Sequence, residues 1–333
     1  MASDGQRNAS RQRRLVEELA EVGLVLDDTE AWHRLIVAEL AYAMWPTVHE
    51  RRVPTYGAII DPNEDPNTWS GETQLSISLR PIGDRPLMSA RRYADGLSSF
   101  LIRSVDGTGQ WAVLDRPAGS ERDLVVMAEA FGAKIVQRHP SGAVRAVGDF
   151  GVFRWAGLGW HHEPLIASWI DAVTVGTNDE DRDVLEILLE FAVHDLGSRG
   201  TGAILVYRPA DDLSHALQPR FPVPPPLDIR RPADLAPLRH VLGQVDGATV
   251  FDADGILRQI GVRIVPSPDA ESSVAGYRGM RHTSGRRYSS DDPQATVIVV
   301  SEDGPVTVLR NGDLVGTSAS VSRAQFEAEV VLD

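Results

Sequence analysis

The chain has 333 residues, a formal net charge of -14 and 42% hydrophobic residues. That length allows two domains with ordinary buried cores. Cysteine is absent, which excludes disulfides, thiolate metal sites and cysteine nucleophiles, and the acidic balance argues against general nucleic-acid binding.

In chain order, residues 1–12 read as unstructured. No long apolar core follows Arg11-Gln12-Arg13-Arg14, so a secretory signal is not expected there. No apolar run reaches the length of a membrane span, and a cytoplasmic location is the default expectation. Leu15, Val16, Leu19 and Val22 share a helical face over residues 11–22, and Gly23 stops that helix. A second helix starts near Asp28 or Thr29 and runs to Met44, before Pro46. The Pro-rich segment 51–70 reads as loop. Alternation predicts a strand over 74–79. A helix over 87–102 follows, then a strand over 110–114, a helix over 121–131 closed by Gly132, a hairpin over 134–145 and a strand over 151–155. His161-His162-Glu163 leads toward a helix over 165–173. Adjacent histidines in a strand point to opposite sides, so this trio reads as structural rather than as a metal site. Arg91-Arg92 reads as a solvated pair.

Gly176-Thr177-Asn178 is the expected boundary, giving a separate N-terminal α+β domain over 1–176, a second domain over 177–320 and a tail over 321–333. The second domain opens with an amphipathic helix over 181–196 and a buried-looking strand over 202–207. Four prolines make 221–226 an extended loop. A short helix over 234–242 leads to the strand that begins at Asp246. Asp252-Ala253-Asp254-Gly255 is a hairpin turn feeding a strand over 256–265. After a basic stretch, strands over 297–300 and 306–309 end at the Asn311-Gly312 turn. The second domain is therefore expected to be α/β, with a mixed central sheet flanked by helices.

The chemistry concentrates in that second domain. Asp246 at a strand edge, followed by Gly247 and Ala248, offers a carboxylate and close backbone approach for a ligand. A carboxylate there can hold a divalent metal against phosphate oxygens. About thirty residues on, Tyr277-Arg278-Gly279-Met280-Arg281-His282-Thr283-Ser284 begins a basic loop that continues through Gly285, Arg286 and Arg287. Guanidinium groups and glycine-exposed N–H groups suit phosphate. Lys134 is the sole lysine and no Walker-type phosphate loop occurs, so arginine must carry any phosphate binding. Val300-Ser301-Glu302 closes the set, with Asp303-Gly304 after it.

This order resembles the diadenylate cyclase domain, whose motifs are Asp-Gly-Ala, then Arg-His-Arg in a Gly-containing loop, then Val-Ser-Glu and Asn-Gly. The resemblance covers residues 181–315. It implies a nucleotidyltransferase that joins two ATP molecules into cyclic di-AMP, with release of two pyrophosphates, across a face-to-face homodimer or a higher assembly of dimers. It assigns Asp246 to a Mg²⁺ or Mn²⁺ ion and to activation of the ribose 3′-hydroxyl, and Glu302 to the same metal. Gly247, Ala248, Gly279 and Met280 would lie against the nucleotide, Arg281 and His282 against the triphosphate, with Thr283 and Ser284 as hydroxyl donors. Thr283 stands where the motif has its second Arg, Met280 where Thr is common, and Val245 where membrane-bound members have a His. Arg278, Arg286 and Arg287 are the replacement cations the sequence offers. The family's usual membrane-spanning or DNA-binding partner segments are not found, so a soluble form is expected. Residues 1–176 take their place as a sensor or regulatory domain for an unknown ligand. The loss of the second Arg leaves a catalytically silent nucleotide-binding sensor or scaffold as the alternative.

Overall fold

The computed structural model describes residues 4–27, 29–46, 53–107, 109–155, 157–210, 216–277, 279–302 and 305–318. Arg278, Asp303, Gly304 and the expected tail lie outside them. The chain divides into two compact units, residues 1–165 and 166–333.

The first unit contains α1 (Asp4–Glu21), α2 (Ala31–Met44), β1 (Tyr56–Ile60), α3 (Pro66–Thr73), β2 (Ile77–Pro81), α4 (Leu87–Arg91), β3 (Ser99–Arg103), β4 (Gly109–Leu114), α5 (Glu121–Ala130), β5 (Lys134–Arg138), β6 (Val144–Gly148), β7 (Gly151–Trp155) and β8 (Trp160–Glu163). The strands form one sheet in the order β2-β4-β3-β1-β5-β6-β7-β8, in which only β1 and β3 run parallel. Alternation along β1 splits its side chains between two cores. Ala58 and Ile60 join Leu15, Leu19, Ile36 and Leu40 of α1 and α2. Ile59 joins Trp69, Leu124 and Phe131 from the α3 and α5 side. Helices thus cover both faces of a mixed sheet.

Several local expectations are corrected here. The N-terminal dozen is not unstructured: α1 begins at Asp4, and Leu15 and Leu19 anchor it in the core. The stretch expected as loop over 51–70 holds the central strand β1 and the start of α3, whose Asp65 side chain accepts the Asn67 N–H. The helix expected over 87–102 ends at Arg91. Asp95 Oδ1 accepts the N–H groups of Leu97, Ser98 and Ser99 and turns the chain into β3. Arg91 is not solvated. It donates from Nε and Nη2 to the buried Glu39 carboxylate at 2.8 and 2.9 Å, and Tyr56 Oη donates to the same group at 2.6 Å. Arg103 completes this network. Burial, then the Glu39 charge, pushes the Tyr56 phenol well above its ordinary value, so it stays a donor.

The second unit contains α6 (Ile170–Val173), α7 (Asp179–Glu190), β9 (Ala203–Tyr207), β10 (Leu217–Gln218), α8 (Pro232–Leu242), β11 (Ala248–Phe251), β12 (Leu257–Ile264), α9 (Pro268–Ser273), α10 (Met280–Asp291), β13 (Thr296–Val300), β14 (Val306–Arg310) and β15 (Asp313–Thr317). A π-helical turn, Phe191–Leu196, continues α7. Ile166, Trp169, Ile170 and Val173 pack into this unit's core, which is why the division falls at Leu165 and Ile166 rather than at Gly176. The sheet order is β10-β12-β11-β9-β13-β14-β15, with only β9 and β11 parallel. On one face Leu185, Leu188, Phe191 and Leu238 pack on Leu205, Phe251 and Ile298. On the other, Tyr288 of α10 packs on Val206, Val250, Val297 and Val299. The mixed sheet with flanking helices matches the expected class.

Candidate functional site

One end of the second unit's sheet gathers the start of β9 and β11, the end of β12 and β13, the start of β14 and the N-terminus of α10. There a cavity of about 840 Å³ is lined by Asp246, Gly247, Ala248, Gly279, Met280, Arg281, His282, Ser284, Ser301, Glu302 and Thr307. Three stretches separated in sequence therefore meet in one concave space.

Asp246 and Gly247 precede β11 and are exposed. Gly247 has φ +121°, and a Cβ there would lie 2.7 Å from the Gly261 carbonyl carbon and 2.8 Å from Val262 O. The β11–β12 ladder shifts register twice between Ala248 and Phe251, which brings this backbone close. The glycine is thus dictated first by β12. Among the described residues, the Asp246 carboxylate has no hydrogen-bond or ion-pair partner.

The basic stretch is not a loop. Residues from Met280 onward are the first turns of α10, with Gly279 as N-cap at φ +99°. Gly285 does not break the helix. Its missing Cβ would sit 3.1 and 3.2 Å from Val299 and Val297, so the glycine lets α10 approach the sheet. No side chain caps the helix, and no acidic residue occupies its first turn. Gly279, Met280, Arg281 and His282 line the cavity, so the positive dipole end of α10 lies there.

Arg281 lines the cavity and its Nη1 donates to Glu302 Oε1 at 2.9 Å. Both side chains are about half exposed, so the pair contributes at most about 1 kcal/mol. His282 is buried, with Nε2 3.3 Å from Thr307 Oγ1 and its ring edge-on to Tyr277 at 5.6 Å. Thr283 is the site residue that the structure does not bring in. Its Oγ1 accepts the Tyr277 N–H at 3.0 Å and contacts Tyr277 O at 3.2 Å, so the hydroxyl ties the preceding chain to α10. Arg286 donates to Gly312 O at 2.7 Å and to Ala275 O at 3.2 Å, and Arg287 donates to Val274 O. Neither lines the cavity. Two residues the sequence reading passed over do line it: Arg220, just beyond β10, and Arg263, on β12. They lie outside the three motifs, and only the β10–β12 pairing brings them there.

Among the described residues no three His, Asp or Glu side chains form a ready-made metal site. His162 instead stacks on Phe153 at 4.2 Å and reaches Phe150 O at 3.0 Å, as a structural reading requires. No helix among the described residues is long and apolar enough to cross a membrane.

Comparison with known proteins finds likenesses to two family models. No curated protein matches. Among solved structures, a hypothetical membrane spanning protein from Bacillus cereus is 17% identical, with a TM-score of 0.32, over 41% of this chain and 71% of that one. A doubly substituted DacA from Staphylococcus aureus is 18% identical, with a TM-score of 0.28, over 45% and 95%. Residues 190–314 match the family described as "DisA bacterial checkpoint controller nucleotide-binding", DAC. Residues 13–163 match "Probable sensor domain DACNK". The chain thus resembles a probable sensor domain over residues 13–163 and a nucleotide-binding domain over residues 190–314.

Proposed function

We propose that the second unit condenses two ATP molecules into cyclic di-AMP and two pyrophosphates, in the cytoplasm, at a site formed when two such domains face each other. The observation that carries this reading is the single cavity shared by Asp246-Gly247-Ala248, the uncapped start of α10 with Arg281 and His282, and Glu302. The α10 N-terminus and Arg281 take phosphate. A charge-assisted bond to phosphate contributes about 1.5–3 kcal/mol, more than the exposed Arg281–Glu302 pair, so a phosphate displaces Glu302 from Arg281. Asp246 and the released Glu302 would hold a Mg²⁺ or Mn²⁺ ion, since two carboxylates suit a hard cation, and such an ion would supply charge neutralisation at the transferring phosphate. Asp246 also helps draw the proton from the ribose 3′-hydroxyl. That oxygen bonds to the α-phosphorus of the second ATP as the bond to pyrophosphate breaks, and a second such transfer closes the ring. Each domain holds one ATP, which makes the facing pair part of the reaction. The first unit regulates this step in response to a ligand of its own.

The alternative, a silent nucleotide-binding sensor, is favoured by one observation: Thr283 brings no cation to the cavity and is committed to Tyr277. Incubation of the full chain with ATP and Mn²⁺ or Mg²⁺, with products resolved by mass-detected chromatography, separates the two. We expect cyclic di-AMP from the wild type and at least a hundredfold less from Asp246→Asn, in line with loss of a group acting on the reacting centre. ATP binding without product supports the sensor, and a different cyclic dinucleotide would change the substrate assignment.

A further inference from the structure

Formal charge in the cavity runs against the rest of the chain. The protein carries -14 overall, yet the charged lining side chains are Arg220, Arg263 and Arg281 against Asp246 and Glu302. Arg281 is already paired with Glu302. The two remaining cations share one wall. Arg263 lies on β12 opposite Gln218 of β10, and Arg220 follows Gln218 by two residues. Both are exposed, and among the described residues neither makes a hydrogen bond or an ion pair. Arg286 and Arg287, by contrast, are spent on backbone carbonyls.

We propose that Arg220 and Arg263 form a polyphosphate clamp on the β10–β12 wall, holding the β- and γ-phosphates of a nucleoside triphosphate. A triphosphate carries more negative charge than Arg281 and one helix terminus offset. A guanidinium can engage phosphate oxygens through two parallel N–H donors, and two of them in one wall suit a chain of linked phosphates. The clamp would supply, from a different element, the cation that Thr283 removes from the α10 motif. It would also hold the leaving pyrophosphate. The inference rests on the nucleotide reading above for the identity of its natural ligand, while the clamp itself recognises phosphate.

The test is calorimetric titration of the full chain with inorganic tripolyphosphate, ATP and AMP. It compares the wild type with Arg220→Gln, Arg263→Gln, the double variant and the double Lys variant. Each Gln substitution should weaken tripolyphosphate and ATP by about tenfold, the loss expected for one charge-assisted contact. AMP should stay within about twofold, which shows that the fold and the rest of the cavity are intact, and Lys should restore part of the loss. A double variant that binds tripolyphosphate and ATP as tightly as the wild type overturns the clamp, as does an equal loss for AMP. If tripolyphosphate depends on the pair but ATP does not bind, the clamp stands and the nucleotide reading fails. If the double variant binds ATP and forms product undiminished, the clamp fails and that reading stands.

Discussion

Gly247 shows how one residue serves packing and chemistry together. Its positive φ and the backbone of Gly261 and Val262 at its open face leave no room for a methyl group. Gly247→Ala should therefore destabilise the second unit by about 2 kcal/mol or more, since a strained backbone and a clash with main chain add. Thermal melting should show it as a fall of several degrees, and an unchanged midpoint would mean that β12 yields easily. The Asp-Gly-Ala motif was legible in the sequence, but this reason for its glycine was not, because it depends on the double register shift between β11 and β12. Thr283 is the converse case. Its identity was visible as a departure from the motif, while its hydrogen bonds to Tyr277 belong to the folded chain alone.

At the level of elements, α10 was the main feature hidden by composition. Gly, Ser, Thr and Arg dominate its sequence, with little apolar periodicity, and local propensity favours a loop. Packing of Tyr288 and Gly285 against the sheet overrides that propensity. β1 was hidden by the prolines around it, for a similar reason. The alternating strands and capped helices, such as α5 with its Ser120–Asp123 capping box, were readable because local chemistry and tertiary packing agree there. The open N-terminus of α10 gives a prediction that separates stability from binding. Met280 is 87% exposed at its first position. Met280→Glu should stabilise the helix by about 0.3–1 kcal/mol through the dipole. It should also weaken ATP, since it places a negative charge where phosphate is expected. A rise in melting temperature with an unchanged ATP affinity would remove α10 from the phosphate site.

Over the whole molecule, each unit has its own sheet with cores on both faces, and the family matches fall one to each unit. The boundary was misplaced in the sequence because Gly176-Thr177-Asn178 looks like a linker, and only packing shows Trp169 and Val173 inside the second core. The first unit also commits a buried carboxylate to its interior. Glu39→Ala would leave Arg91, Arg103 and Tyr56 without their shared partner, a loss of about 3–5 kcal/mol. Scanning calorimetry should record a fall on the order of 10 °C in that unit's transition. A fall of under about 2 °C would show the network to contribute little.

Both sheets place their earliest strand near the middle. β1 pairs with β3 and β5, and β9 pairs with β11 and β13, through registers such as Ile59 with Ile102 and Ile135, or Ile204 with Ala248 and Val299. On a growing polypeptide, each of these strands must wait for partners made much later. The loop-closure entropy of those distant pairings has to be met before their contacts form, which slows folding. The apolar residues of β1 and β9 are exposed meanwhile, so the ribosome-bound chain is most vulnerable to misassociation just after each of these strands emerges.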